Sequence, residues 1–167
     1  MTDDAAVHPL IAEAAKKAQV CWVATDDSPA KSLWCLNIDG VLAVVCGPGE
    51  QHDPGLSAAD ACRVTLRGDH NGRILTFEAT IDHVTPGDDR WDEVASALSA
   101  KRLNSGAGDT VARWAAECSV YRLVPSPTPP TAGAELPDAS LAAVREPSTA
   151  ARATRRPFRL HKVRGRR

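Results

Sequence analysis

Two β-rich runs separated by an Asn-Gly pair constrain the fold of this 167-residue chain more than any other feature. The runs are CRVTLRG (residues 62–68) and RILTFEATIDHV (residues 73–84), and His70-Asn71-Gly72 lies between them. Asn-Gly between two such runs is the strongest short-range pattern for a β-hairpin, because both residues accept positive φ. The sequence therefore predicts two long antiparallel strands in the middle of the chain.

Shorter patterns on both sides extend this pair into a larger sheet. Asp39-Gly40 is a second hairpin pattern, joining AKSLWCLNI (30–38) to VLAVVC (41–46). Further strands are predicted over QVCWVAT (19–25) and CSVYRLVP (118–125). Helical periodicity predicts helices over residues 9–18, 86–106 and 109–117, and one or two helical turns at SAADA.

This order is dominated by hairpins and does not alternate between strand and helix, which excludes a parallel βαβ sheet. A mainly β fold follows: a small antiparallel barrel, closed or partly open, with helices at its rim. In the helix over 86–106, Asp88 or Asp89 is expected to cap the amino end, and Asn104 to Gly106 to end it.

The loop GPGEQHDPGL (47–56) between a strand and a helical pattern admits two interpretations. Its backbone N–H groups can meet an anion beside a cofactor, with Gln51 as a neutral donor. Alternatively, Glu50 or Asp53 caps the short helix that follows the loop. The loop contains acids and no Lys or Arg, so it is not an ordinary phosphate cradle.

Five cysteines stand far apart, without a Cys-x-x-Cys pair, at positions 21, 35, 46, 62 and 118. An odd number of mostly strand-embedded cysteines favours reduced, buried thiols over a disulfide framework. The spacing of Cys46, His52 and Cys62 matches no standard zinc pattern, so no metal site is predicted.

Charge divides the chain unevenly. Residues 1–144 hold 11 Lys and Arg against 20 Asp and Glu, whereas residues 145–167 hold 9 against 1. A folded domain over 1–125, a Pro- and Ala-rich linker over 126–144 and a disordered basic tail over 145–167 are therefore predicted. Such a tail either binds nucleic acid through its charge or stays solvated without a partner.

The sequence shows no pattern typical of a membrane span or a signal peptide. No apolar run approaches the length of about 18 residues that a membrane span needs. The amino-terminal MTDDAAVHPL lacks the positive region and apolar core of a signal peptide. A cytoplasmic location without membrane partners is expected.

Several segments together resemble the actinobacterial branch of the pyridoxamine 5'-phosphate oxidase-like family, the FMN-binding split β-barrels. They are GPGEQHDPGL (47–56), VTLRGDHNGRILTFEATIDHVTPGDDRW (64–91), KRLN (101–104) and RWAAECSVYRLVP (113–125). The resemblance spans about residues 8–125. It implies a split barrel, a homodimer, and flavin mononucleotide (FMN) in grooves at the subunit interface, or a deazaflavin as in some relatives. Hydride or electron transfer with a small-molecule substrate would then be the work of the cofactor.

Five positions are candidates for binding the cofactor: four match or lie close to places where relatives hold the flavin phosphate or border its groove, and Arg73 flanks the same hairpin tip as Arg67. Lys31 falls near the position where relatives have a basic residue on their second strand. Gly49 and Gln51 fall where relatives have the loop that holds the phosphate. Arg67 ends the strand before the Asn-Gly hairpin, and Arg73 begins the strand after it. Arginines at a hairpin tip are also commonly solvated, so the residues alone leave both roles open.

Two acids depart from the pattern of these relatives. Glu50 and Asp69 stand where a basic residue is often found, and a carboxylate facing a phosphate is repulsive. Two functions are therefore compatible with the sequence: an FMN-binding oxidoreductase-like protein, or a non-catalytic barrel dimer that has lost flavin and serves as a binding or regulatory protein. His52 is a candidate proton donor or haem ligand, since some split barrels bind haem.

Overall fold

The computed structural model describes residues 7–68, 72–103 and 108–137. The predictions for the hairpin tip at 69–71 and the basic tail at 145–167 lie outside the described residues. Across the three described ranges the chain forms eight strands, three α-helices and two short 3₁₀ turns. None of the helices in these ranges has the length and apolar content required to traverse a lipid bilayer.

The strands pair antiparallel in one curled sheet, in the order β2–β1–β5–β6–β7–β4–β3, with β8 added to β6. The strands are β1 (Val20–Thr25), β2 (Ser28–Trp34), β3 (Leu36–Ile38), β4 (Val41–Cys46), β5 (Ala61–Arg67), β6 (Arg73–Val84), β7 (Ser119–Pro125) and β8 (Thr131–Ala132). The helices are α1 (Pro9–Lys17), α2 (Trp91–Lys101) and α3 (Thr110–Glu117). The predicted mainly β, antiparallel architecture with helices at its rim is confirmed.

The two predicted hairpins are present. β5 and β6 pair antiparallel, with Val64 opposite Phe77. Asp39 (φ 49°) and Gly40 (φ 88°) form a two-residue turn between β3 and β4. Positive φ at both positions is the geometry that matches the right-handed twist of hairpin strands.

The predicted strand over 30–38 is two strands. The ladder between β1 and β2 ends at the pair Val20–Trp34, and β3 then pairs with β4 instead. Cys35 lies at the break, where its backbone N–H donates to the carbonyl of Gln19 (3.0 Å). The chain thus changes partners at this residue, which opens the sheet between β2 and β3.

Every residue of β4 is buried, because this strand has a hydrophobic core on each face. Leu42 and Val44 point into the barrel, whose core also contains residues of α1. Ala43 and Val45 face the opposite side, where α2 and α3 pack through residues such as Leu98 and Trp114. A continuous apolar run such as VLAVVC is typical of a strand covered on both faces.

The ends of α2 differ from the predicted range 86–106, because α2 ends at Lys101 with extended backbone at Arg102, before the predicted stop at Asn104. The expectation that Asp88 or Asp89 caps α2 is wrong, because α2 begins after Arg90 and without a side-chain cap. Asp88 instead accepts hydrogen bonds from the N–H (2.6 Å) and hydroxyl (2.9 Å) of Thr85, in the preceding turn. The cap of α3 is Asp109, which accepts from the N–H of Ala112 (3.1 Å).

Main-chain contact with β6 continues beyond the end of β7. The N–H of Ser126 donates to the carbonyl of Glu78 (2.8 Å). Thr131 and Ala132 of β8 then pair with Thr76 and Leu75. The division of the chain at residues 125 and 144 into domain, linker and tail stays a prediction.

Candidate functional site

Glu50 occupies the interior end of the glycine-rich loop, with only 3% of its side chain exposed. One carboxylate oxygen accepts from the Nε of Arg102 (2.8 Å). The other accepts from the guanidinium of Arg113 and from the indole Nε1 of Trp114 (3.0 Å). We call these four residues the Glu50 cluster; it joins the loop to the end of α2 and to α3.

These donors determine the charge state of Glu50. Burial by itself would raise the pKa of its carboxyl, but the hydrogen bonds from Trp114, Arg113 and Arg102 outweigh burial and lower the pKa. Glu50 is therefore ionised at neutral pH, and two guanidinium groups neutralise it from within the protein. The acid that departs from the family pattern thus has a structural function, and its charge is already compensated.

Gln51 is also engaged within the chain, through both atoms of its amide. Its Oε1 accepts from the backbone N–H of Trp34, and its Nε2 donates to the carbonyls of Trp34 (3.0 Å) and Val45 (3.3 Å). Trp34 ends β2 and Val45 lies in β4, two strands that do not pair with each other. The Gln51 side chain therefore bridges the split in the barrel.

The glycines of the loop allow it to turn tightly against α3. Gly47 has a φ of +145°, and a Cβ at this position would lie 2.9 Å from both Cα and Sγ of Cys118. Gly49 has a φ of +74° and lies beside the guanidinium of Arg113. Both conformations disfavour any residue with a side chain.

Asp53 caps the 3₁₀ turn at Leu56–Ala58, as one of the two sequence interpretations proposed. Its carboxylate accepts from the N–H groups of Gly55 (2.9 Å), Leu56 (2.6 Å) and Ser57 (3.1 Å). Burial opposes ionisation of Asp53, but these hydrogen bonds lower its pKa overall. The predicted capping role thus belongs to Asp53, while Glu50 binds the helices instead.

His52, next to this cap, is exposed and lines a cleft with Asp53 and Glu117. Within the described ranges, no group of three or more His, Cys, Asp or Glu side chains is arranged to hold a metal ion. Four of the five cysteines are buried, and the fifth, Cys118, is half-buried.

The β5–β6 hairpin brings the other two predicted residues together. Arg67 and Arg73 are directly opposite each other across the two strands, at an irregularity in the register. The guanidinium of Arg67 lies over the ring of Trp22, 4.4 Å from its centroid. A cation in this position is attracted by the aromatic face, which fixes the guanidinium against β1.

Arg73 contacts the chain that follows β7. Its Nη2 donates to the carbonyl of Pro137. Its Nη1 is buried and has no hydrogen-bond partner among the described residues. The hairpin thus presents two guanidinium groups, of which Arg73 has unused donor capacity.

The five predicted positions fall into separate parts of the sheet. Lys31 lies half-buried on β2, opposite Val23 of β1. β2 and β6 are three strand spacings apart in the sheet order, about 14 Å at the usual spacing. Gly49 and Gln51 are adjacent to the Glu50 cluster, whereas Arg67 and Arg73 form their own pair.

Four side chains that contact the residues described above were not predicted as site residues from the sequence: Trp22, Arg102, Arg113 and Trp114. Glu50 is separated along the chain from its partners Arg102, Arg113 and Trp114 by 52, 63 and 64 residues. No local spacing predicts such contacts. Trp22 had a visible pattern, since it alternates with buried Cys21 and Val23 and must therefore face outward.

Comparisons with known proteins show the fold of the chain. A scan against protein-family models finds no match, and a search of the curated proteins finds none either. Among solved structures, the heme storage protein HutZ from Vibrio cholerae is 16% identical, with a TM-score of 0.53, over 78% of this chain and 99% of that chain. This similarity shows that the two proteins share their fold, which confirms the predicted split barrel.

Two further solved structures are similar at lower scores. A FAD-binding protein from Mesorhizobium loti is 17% identical over 72% of this chain and 91% of that chain, with a TM-score of 0.46. A candidate pyridoxamine 5'-phosphate oxidase from Listeria innocua is 13% identical over 68% of this chain and 88% of that chain, also with a TM-score of 0.46.

Proposed function

We propose that this split barrel binds FMN through its phosphate and functions as an oxidoreductase-like homodimer with a small-molecule substrate. The observation that carries the proposal is the cross-strand pair of Arg67 and Arg73. The pairing places two guanidinium-bearing residues at the same end of the hairpin. A phosphate bound there would accept charge-assisted hydrogen bonds from arginine.

The donors of this pair suit a phosphate. Arg73 has one buried Nη1 without a partner among the described residues, and its Nη2 bonds only a neutral carbonyl, that of Pro137. Trp22 orients the guanidinium of Arg67. Because Arg102 and Arg113 neutralise Glu50, its carboxylate adds little repulsion toward an anion.

FMN, once bound, supplies the capacity for hydride or electron transfer. The chain itself positions the cofactor: Arg67 and Arg73 bind its phosphate, and Trp22 keeps Arg67 in place. Lys31, Gly49 and Gln51 stay secondary predictions, since they lie on other parts of the barrel. A deazaflavin with a phosphate group would use the same two arginines.

A second copy of the chain is the proposed partner for the outer face of the sheet. Val20 of β1 and Ile74 of β6 are each 46% exposed. Each precedes a buried residue, Cys21 and Leu75, so both side chains point away from the barrel core. Two large apolar side chains on the face that carries Arg67 favour burial against another subunit.

The test is a titration of the purified protein with FMN and with riboflavin, followed by absorbance and calorimetry. Arg67→Gln and Arg73→Gln should each weaken FMN binding by about tenfold or more, because each removes a hydrogen bond to a charged group. Riboflavin, which lacks the phosphate, should bind all variants equally. Arg63→Gln is the matched control, since Arg63 also lies on β5 but pairs with Glu78 (3.0 Å). Equal losses for Arg63 and Arg67 variants would refute the assignment.

The second candidate is a barrel dimer without flavin that serves as a binding or regulatory protein. It is favoured by the engagement of Glu50 and Gln51 in the loop where relatives hold phosphate. A colourless protein that binds neither FMN nor a deazaflavin would support it. A Soret band on addition of haem would instead direct attention to exposed His52, since similar HutZ is a heme storage protein.

A further inference from the structure

The chain after β7 continues along the same edge of β6, towards Arg73. We call residues 126–137 the C-terminal strap. It is attached at its start through Ser126 to the carbonyl of Glu78 (2.8 Å). In its middle, β8 pairs with only two residues of β6. At its end, the carbonyl of Pro137 accepts the hydrogen bond from Arg73.

The strap is held at few points because its sequence cannot pair more extensively. Proline has no N–H, and the strap has prolines at positions 127, 129, 130 and 137. Between Ser126 and Thr131, only Thr128 has a backbone donor. Residues 127–129 are exposed, and Ala132 alone packs its side chain against the barrel core. A segment with so few contacts opens at low free-energy cost.

We propose that the C-terminal strap is an autoinhibitory cover of the Arg67–Arg73 pair, and that binding of a phosphate-bearing ligand releases it. This inference rests on the proposed function of that pair. In the closed form, Pro137 occupies Nη2, one of the two Arg73 donors that a phosphate would use. Strap and ligand therefore compete for the same guanidinium group.

The chemistry of the two competitors favours the ligand once it is present. Both competitors accept from a charged donor, but a phosphate carries negative charge and can accept two parallel bonds from one guanidinium, whereas the carbonyl of Pro137 is neutral. The strap has the advantage of being tethered, so it covers the site when no ligand is present. If the closed form outnumbers the open one about ten to one, opening the strap lowers the apparent Kd about tenfold.

The experiment uses the full chain and the variant Ala132→Asp. A carboxylate at this half-buried position is unfavourable against the apolar core and should detach β8. Thr128→Asp is the matched control, because it adds the same charge to an exposed strap position. Thr131→Pro, which removes a backbone donor of β8 without adding charge, replaces Ala132→Asp if that variant does not fold.

FMN affinity and backbone hydrogen exchange are measured for each protein. Ala132→Asp should bind FMN about tenfold more tightly than wild type, while Thr128→Asp binds as wild type does. Addition of FMN to wild type should accelerate exchange over residues 131–136. Slower exchange there would mean that the strap closes over the ligand, which overturns autoinhibition.

The remaining outcomes separate the two proposals. Equal FMN affinity in wild type and Ala132→Asp, with faster exchange of the strap in the variant, overturns the strap proposal and leaves the flavin proposal intact. If neither protein binds FMN, the flavin proposal is overturned. The strap proposal is then overturned too, because it rests on that site. Binding seen only after the strap is detached supports both.

Discussion

Replacement of Glu50 by alanine tests whether one buried carboxylate holds the helices on the barrel. The substitution removes the acceptor for the indole of Trp114, a side chain with no exposed surface. A buried donor left without a partner costs about 1–3 kcal/mol. The side chains of Arg102 and Arg113 are 28% and 36% exposed, so both regain water and contribute less. We therefore expect a loss of about 2 kcal/mol, most of it from Trp114.

Glu50→Gln separates the indole bond from the charge. The amide oxygen of glutamine can still accept from Trp114, so this variant should lose less unfolding free energy than Glu50→Ala. Glu78→Ala is the surface control, since Glu78 forms an ion pair with Arg63 and its side chain is 49% exposed. Exposed pairs contribute at most about 1 kcal/mol.

Urea unfolding, followed by tryptophan fluorescence and by circular dichroism, provides the free energies. The midpoint should fall for Glu50→Ala while the slope with denaturant stays unchanged, because the same surface is exposed on unfolding. If Glu50→Ala lost no more stability than Glu78→Ala, the Glu50 cluster would not stabilise the fold, and the argument from burial would be refuted.

Three further outcomes concern the glycine-rich loop and two buried thiols. Gly47→Ala should lower the melting temperature strongly, because its positive φ costs about 1–3 kcal/mol and its Cβ would meet Cys118; an unchanged melting temperature would contradict this. Burial raises the pKa of Cys46 and of Cys62 to about 12, so a thiol reagent at pH 8 should modify both only after unfolding, and rapid modification of the native protein would oppose this. Glu50 has a lowered pKa in the folded state, so its ionisation stabilises the fold above the ordinary pKa of 4.5, and this stabilisation is lost as pH falls through the lower folded pKa. Glu50→Gln should therefore reduce the free energy of unfolding less at pH 2 than at pH 7. An equal reduction at both pH values would argue against this.

Local patterns predicted most of the sheet because turns and alternation are encoded within a few residues. The bounds of β4 and β6 agree with the predicted runs 41–46 and 73–84. The break at Cys35 was missed, since the run 30–38 is continuously β-compatible and only the change of pairing partner divides it. β8 was missed for a related reason: its two residues are defined by their register with β6 alone.

The candidate site was predictable only where its residues belong to one hairpin. Arg67 and Arg73 could be placed together because the Asn-Gly pattern sets the register of the strands around it. Glu50 could not be assigned, since its partners come from α2 and α3, far along the chain. Whether a carboxylate repels a ligand depends on such partners, and tertiary packing determines them.

The Glu50 cluster has a consequence for inserting new sequence into this protein. Arg102 directly follows α2 and Arg113 belongs to α3, so the chain between the helices begins and ends at one carboxylate. When the ends of a loop are fixed in this way, each doubling of its length costs only about 0.6 kcal/mol. We therefore expect both helices to stay packed on the barrel when a reporter peptide is inserted between residues 103 and 108. The barrel could then be used to present inserted peptides.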